Sequence, residues 1–143
     1  MIDQQKRMLV KLSFGLDLPV ISYHPTGSRY ICNPAPTNTD EDWYVLLDSD
    51  DISNAMLYNL LQHEGWHTSG NEYDFREAGV NKPVSAKKGI TNLIFIKNRV
   101  YYTRACAASV LAKQMNLLNK EERIALFRTV LYGEHLLINE VIP

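Results

Sequence analysis

The segment Thr26-Gly27-Ser28-Arg29 is followed, with eleven residues between Ser28 and Asp40, by Asp40-Glu41-Asp42-Trp43-Tyr44-Val45-Leu46. Alternate residues of a strand face the same side, so Asp40 and Asp42 present two carboxylates together with Glu41 turned away. Hard oxygen ligands spaced about 6 to 7 Å along a chain suit Mg²⁺ or Mn²⁺. A Gly-Ser turn lets backbone amides and a hydroxyl approach a triphosphate, whose charge the metal also offsets. Such an arrangement moves phosphoryl or nucleotidyl groups by positioning and charge stabilisation. The plainer alternatives are an acid-rich turn that only solubilises the chain and an ordinary strand-ending turn at Gly27 and Ser28. Arg29 is open to two readings, a phosphate contact or an ion pair with a nearby acid.

A second motif competes. His63-Glu64-Gly65-Trp66-His67 fits the His-Glu-x-x-His pattern of zinc hydrolases, in which two histidines one helical turn apart bind Zn²⁺ and the glutamate activates water. Gly65 weakens a helix at its centre, and Thr68-Ser69-Gly70-Asn71 ends it at once. A third ligand would have to come from Glu72, Asp74, Glu77 or His135. A helix end with solvated histidines is therefore the preferred reading of this motif. His24 and His135 read as surface histidines, Ser28 lacks the setting of a hydrolase nucleophile, and nothing beside Cys32 points to an activated thiol.

Charge is segregated along the chain. Residues 39 to 51 hold six acids and no base, whereas residues 76 to 104 hold Arg76, Lys82, Lys87, Lys88, Lys97, Arg99 and Arg104 against the single acid Glu77. An acidic metal patch beside a basic surface suits a nucleotide site with a polyanionic acceptor, and solvated element faces are the bland alternative. Lys87 and Lys88, next to Gly89, are the foremost candidates for phosphate contacts. Tyr101 and Tyr102 could stack on a base, but aromatics at the start of a helix are more commonly core.

These residues must be positioned by regular elements. Met8, Leu9, Leu12 and Phe14 predict a short amphipathic helix over 3 to 14, ending near Gly15. Residues 18 to 23 predict a strand running into the turn cluster His24-Pro25-Thr26-Gly27-Ser28, with irregular chain over 30 to 39. Residues 42 to 47 predict a second strand, stopped by the acids that follow it, and 52 to 63 a core-facing helix. After an irregular 65 to 82, strands are expected at 84 to 89 and 91 to 96. Helices are expected at about 99 to 117 and, behind an Asn119 cap, about 120 to 132.

The class these elements define is α+β, a small mixed sheet flanked by helices in one domain over 1 to 143. A length of 143 residues, 45% hydrophobic content and net charge −1 exclude a disordered tail and a generally basic nucleic-acid coat. Two cysteines without CxxC spacing favour a reducing cytoplasm. The N-terminal stretch fits neither a signal peptide nor a membrane span, so no membrane partner is expected.

The Gly27-Ser28 turn and Asp40-x-Asp42 strand resemble the signature of the DNA polymerase β type nucleotidyltransferase fold. The chain looks more closely like small bacteriophage nucleotidyltransferase-like proteins. It shares with them Gly65-Trp66, Ser85-Ala86-Lys87-Lys88-Gly89-Ile90-Thr91-Asn92-Leu93-Ile94 and Asn119-Lys120-Glu121-Glu122-Arg123-Ile124-Ala125-Leu126-Phe127. The resemblance covers most of residues 20 to 133. It implies a minimal nucleotidyltransferase fold in a bacterial cytoplasm, transferring a nucleoside monophosphate from a nucleoside triphosphate such as ATP, with release of pyrophosphate. The acceptor class, RNA, protein or small molecule, stays open. Asp40 and Asp42 would be catalytic and hold Mg²⁺ or Mn²⁺; Gly27, Ser28, Arg29, Lys87 and Lys88 would bind nucleotide and phosphate. Catalytic relatives carry a third carboxylate after the Asn-Leu-Ile strand, where this chain has Phe95-Ile96-Lys97-Asn98. That departure supports an alternative, a nucleotide- or RNA-binding regulator without transfer, with Lys97 standing in for one metal's charge and Asn98 offering a neutral oxygen.

Overall fold

The computed structural model describes residues 14–48, 51–68 and 83–136, the side chains of 134–136 excepted. Strand β1 spans Val20–Thr26, helix α1 Gly27–Ile31, strand β2 Glu41–Leu47 and helix α2 Asn54–His63. They are followed by β3, Val84–Lys88, β4, Thr91–Ile96, α3, Arg99–Gln114, and α4, Lys120–Leu136. The class is α+β, as the pattern of elements requires, with a four-stranded mixed sheet in the order β1-β2-β4-β3. Strand β2 lies antiparallel to β1 and parallel to β4, and β3 returns antiparallel to β4 through a hairpin at Gly89 and Ile90.

Strand alternation divides the core. Val45, Leu47, Ala86, Leu93 and Phe95 face one side, where Leu57, Leu61 and Trp66 cover them together with Leu16 and Leu18. Tyr44, Leu46, Ile94 and Ile96 face the other, beneath Ile31 of α1 and Tyr101, Tyr102, Ala105, Ala108 and Ala112 of α3. The alanines keep α3 close to the sheet. Phe127 and Leu131 join α4 to this second cluster. Each side chain of the Leu57 and Leu61 kind contributes about 1.5–3 kcal/mol when fully buried, so the second layer is not optional for β2.

Helix ends follow local chemistry. Ser53 caps α2, its hydroxyl accepting from Met56 N at 3.2 Å, and Asn98 caps α3 by accepting from Tyr101 N at 2.9 Å. The expected Asn119 cap is present, accepting from Glu121 N at 2.8 Å and Glu122 N at 3.2 Å. Helix α3 stops at a left-handed Asn116 (φ 48°), with Leu117 N on Ala112 O and Asn116 N on Lys113 O. This reciprocal pair satisfies carbonyls that a helix end leaves open.

Two boundaries differ from the sequence expectation. Strand β1 runs through His24-Pro25 to Thr26; Pro25 is tolerated because β1 is an edge strand and pairs only with β2. The expected turn at Gly27-Ser28 is the opening of the five-residue helix α1. The helix expected over 3 to 14 lies outside the described residues apart from Phe14, whose ring meets Trp43 edge-on at 6.0 Å.

Helix α3 is tied to the end of β1 by a buried hydroxyl pair, Thr26 Oγ1 to Ser109 Oγ at 2.7 Å. Ser109 spends its single proton on Ala105 O at 3.0 Å, so Thr26 is the donor of that pair. Replacing Ser109 by alanine leaves the Thr26 hydroxyl buried without an acceptor and should cost about 1–3 kcal/mol. Urea unfolding checks this value, and a loss below about 0.5 kcal/mol would show that the pair holds nothing.

Candidate functional site

The site is built from one row of residues across the sheet. Thr26 pairs with Asp42, Asp42 with Asn92, and Asn92 with Lys87. Directly opposed residues share a face, so all four lie on the α3 side. Asn92 donates its amide Nδ2 to Asp42 Oδ1 at 3.0 Å. Asp40 stands just ahead of β2, two residues before Asp42, and its Oδ1 accepts from Lys87 Nζ at 2.9 Å. With 41% of the Lys87 side chain and 38% of the Asp40 side chain exposed, this ion pair contributes at most about 1 kcal/mol.

Gly27 is the close neighbour of that row. It has φ +77°, and a Cβ built on it would fall inside the Asp42 carboxylate. Only a residue without a side chain lets this backbone lie against Oδ2 of Asp42. Ser28 follows, half-buried, at the start of α1. Arg29 is fixed by a backbone carbonyl, its Nη2 donating to Thr39 O at 2.8 Å. Its Nε is buried without a hydrogen-bond partner. Arg29 therefore ties α1 to the residue before Asp40. At the other end of the same loop, Asn116 accepts from Asn33 N at 2.9 Å and donates to Asn33 O at 3.1 Å. The loop reaches Asp40 held at both ends.

Several expected contributors lie elsewhere. Lys88 is on the α2 face, where Nζ donates to Glu64 O at 2.9 Å, so Lys87 and Lys88 do not act together. Lys97 and Asn98 follow the far end of β4, about 16 to 20 Å along the strand from Asn92. Lys97 donates to Ile52 O at 2.7 Å, with burial lowering its pKa, and Asn98 is spent capping α3. Neither can stand in for a metal's charge or supply a ligand beside Asp42. The residue that occupies the place next to Asp42 is Asn92, which motif spacing alone passed over. The signal was available, since two parallel strands that both open after a turn bring their second residues to one edge of the sheet.

The zinc motif does not form. Helix α2 ends at His63, and Gly65, with φ +84°, turns the chain. Trp66 N on Leu61 O and Gly65 N on Gln62 O close the end. His67 is no longer a helical residue; its backbone bridges Lys87 through bonds of 2.9 Å in both directions. The left-handed glycine breaks the one-turn spacing that brings two such histidines to one metal. Among the described residues no group of three or more His, Cys, Asp or Glu side chains could hold a metal ion. Glu72, Asp74, Glu77 and His135, the candidates for a third ligand, fall outside the described side chains.

Tyr101 and Tyr102 are core residues, not a stacking platform. Tyr102 donates to Ser22 Oγ at 3.0 Å, and burial raises its pKa far above the ordinary phenol range. His24 is half-buried, its ring edge-on to Tyr30 at 5.5 Å. The basic segment is likewise divided: Lys87 faces Asp40, Lys88 the end of α2, Lys97 the far end of β4, and Arg104 Nη1 donates to Leu131 O at 3.3 Å. Among the described residues no helix is long and apolar enough to cross a membrane. No protein-family model, curated protein or solved structure matches the chain.

The donor set suits a hard cation that arrives with phosphate. Mg²⁺ is commonly held by one or two carboxylates together with substrate oxygens and water, and Asp40 and Asp42 are two such carboxylates, the second packed against the Gly27 backbone. A cage made of protein ligands alone would need more anionic groups than this row provides.

Two outcomes follow from the geometry. Gly27→Ala meets both a left-handed backbone and the Asp42 carboxylate, whereas Gly89→Ala, at φ +62° with nothing within 4 Å, meets only the first. The Gly89 variant should lose about 1–2 kcal/mol and the Gly27 variant measurably more, with Asp42→Ala restoring part of the difference. Equal losses in chemical denaturation would refute the close approach. Cys106 beside Tyr102 has its thiol pKa raised by burial. Its thiolate fraction at pH 8 should thus be lower than in the unfolded chain, and iodoacetamide should modify it more slowly in the native protein by peptide mass mapping. Because the neutral thiol is favoured in the fold, its contribution to stability is present below the ordinary thiol pKa and is lost as pH rises from there through the raised pKa of the folded state.

Proposed function

We propose that this chain is a nucleotidyltransferase-type enzyme. It takes a nucleoside triphosphate at the start of β2 and passes the nucleoside monophosphate to a hydroxyl or phosphate of a second molecule, releasing pyrophosphate. The observation that carries this reading is the placement of the Gly27 backbone against the Asp42 carboxylate, with Asp40 beside it. The glycine lets the main chain at the start of α1 lie directly against one acid, and the two acids would attract the divalent cation that accompanies a phosphate. When bound, Mg²⁺ would neutralise charge developing on the phosphates.

The chain's own residues divide the remaining work. Asp40 and Asp42 would hold the cation, and Ser28 would offer its hydroxyl to the phosphates. The new bond joins the acceptor oxygen to the α-phosphorus as the bond from that phosphorus to the pyrophosphate oxygen breaks. A hydroxyl acceptor also gives up a proton. Asn92 cannot take up a proton, so within the row only a carboxylate of Asp40 or Asp42 can do so. Arg29 and Asn116 act at a distance, by fixing the loop that delivers Asp40.

A second reading, nucleotide or RNA binding without transfer, is favoured by the same Asn92, a neutral amide beside Asp42 where a further carboxylate would strengthen metal binding. The two separate in one experiment. Protein, Mg²⁺ or Mn²⁺ and each α-labelled nucleoside triphosphate are incubated with bacterial extract beside Asp42→Asn, and label is followed into RNA, protein and small molecules. Transfer that falls at least about 100-fold in the variant is expected. Binding of the triphosphate or of RNA without label transfer would establish the second reading, and failure to bind either would end both.

A further inference from the structure

We infer that Lys87 is an internal counter-ion. It occupies Asp40 while the site is free of nucleotide and exchanges that carboxylate for phosphate when a nucleotide and its divalent cation enter. The inference rests on the nucleotide reading above and adds a rule for the order of binding: the cation binds more weakly by itself than together with the nucleotide.

Three features support the exchange. The ammonium group of Lys87 lies 2.9 Å from Asp40 Oδ1, where it lowers the negative charge that a free Mg²⁺ or Mn²⁺ would need to overcome its own hydration. The backbone of Lys87 is fixed on both sides, by pairing with Asn92 and by the His67 bridge. The backbone is thus anchored on two sides, and the exchange is a movement of the side chain. That side chain is 41% exposed, and an ion pair so open to water is weak enough for an incoming polyphosphate to displace. Lysine suits this role, being a point charge on four rotatable carbons; an arginine would be held by its planar fork. Neighbouring Lys88 cannot substitute, because it faces α2 and donates to Glu64 O.

The test compares wild type with Lys87→Gln, Lys87→Arg and the Lys87→Gln/Asp40→Asn double variant. Mn²⁺ binding is read from the free-ion electron paramagnetic resonance signal, first alone and then with each ribonucleoside triphosphate. Removing the lysine charge should tighten binding of Mn²⁺ alone by at least about fivefold and weaken binding of the Mn²⁺-triphosphate pair by a similar factor. Lys87→Arg should keep the weak binding of free Mn²⁺, and the double variant should lose the gain. Circular dichroism confirms that each variant is folded, which the exposure of Lys87 favours. Unchanged affinity for Mn²⁺ alone in Lys87→Gln, with the triphosphate still bound, would overturn the counter-ion role and leave the nucleotide reading intact. Absence of triphosphate binding in wild type would overturn both.

Discussion

Parallel pairing of β2 with β4 places Asp42 beside Asn92, and the remainder of the site depends on that register. Parallel strands cannot be joined by a tight turn; the chain has to leave the sheet and return to the same edge. Here α2 lies between them, burying Leu57 and Leu61 against one face, and β3 with its hairpin re-enters beside β4. The crossover brings the second residues of two strands, distant in sequence, to one end of the sheet. Asp42 gains a donor on one side, while on the other β1 ends at Thr26 so that Gly27 turns directly over its carboxylate. A one-residue slip in either pairing would send Asp42 to the α2 face and dissolve the row.

The same constraint explains how the surroundings are used. α3 covers the face that carries the row, and its alanines permit an approach close enough for Ser109 to accept a hydrogen bond from the Thr26 hydroxyl. The end of that helix supplies Asn116, which secures the loop leading to Asp40. Polar groups that lie near one another in sequence serve different ends: Lys87 and Lys88 diverge to opposite faces, and Lys97 and Asn98 fasten the end of β4 to its surroundings. An acid pair balanced by a single exposed lysine is a site of low net charge.

Much of the framework was legible in residue order. The β4 bounds, the Asn119 cap, the start of α3 and the apolar stripe of α2 follow from periodicity and cap chemistry, which act within a few residues. Asp40, Asp42, Gly27 and Ser28 stood out because their types and spacing suit phosphate chemistry. The approach of Gly27 to Asp42 could not be read from spacing alone, since it needs the β1–β2 register that sets Thr26 opposite Asp42. The His63-Glu64-x-x-His67 pattern misled for the converse reason: a helical spacing is chemical only while the helix lasts, and Gly65 ends it.

Local order thus determined the class of fold, the helix ends and the residue types able to bind a hard cation and phosphate, because propensity, capping and period-two alternation are short-range effects. Tertiary structure decided which of those residues share a site. It brought Asn92 to Asp42 and Lys87 to Asp40, and it removed Lys88, Lys97 and Asn98 from the row. The reason is that register and face are set by pairing between strands up to fifty residues apart, and those pairings answer to burial of both sheet faces and to no single segment of the chain.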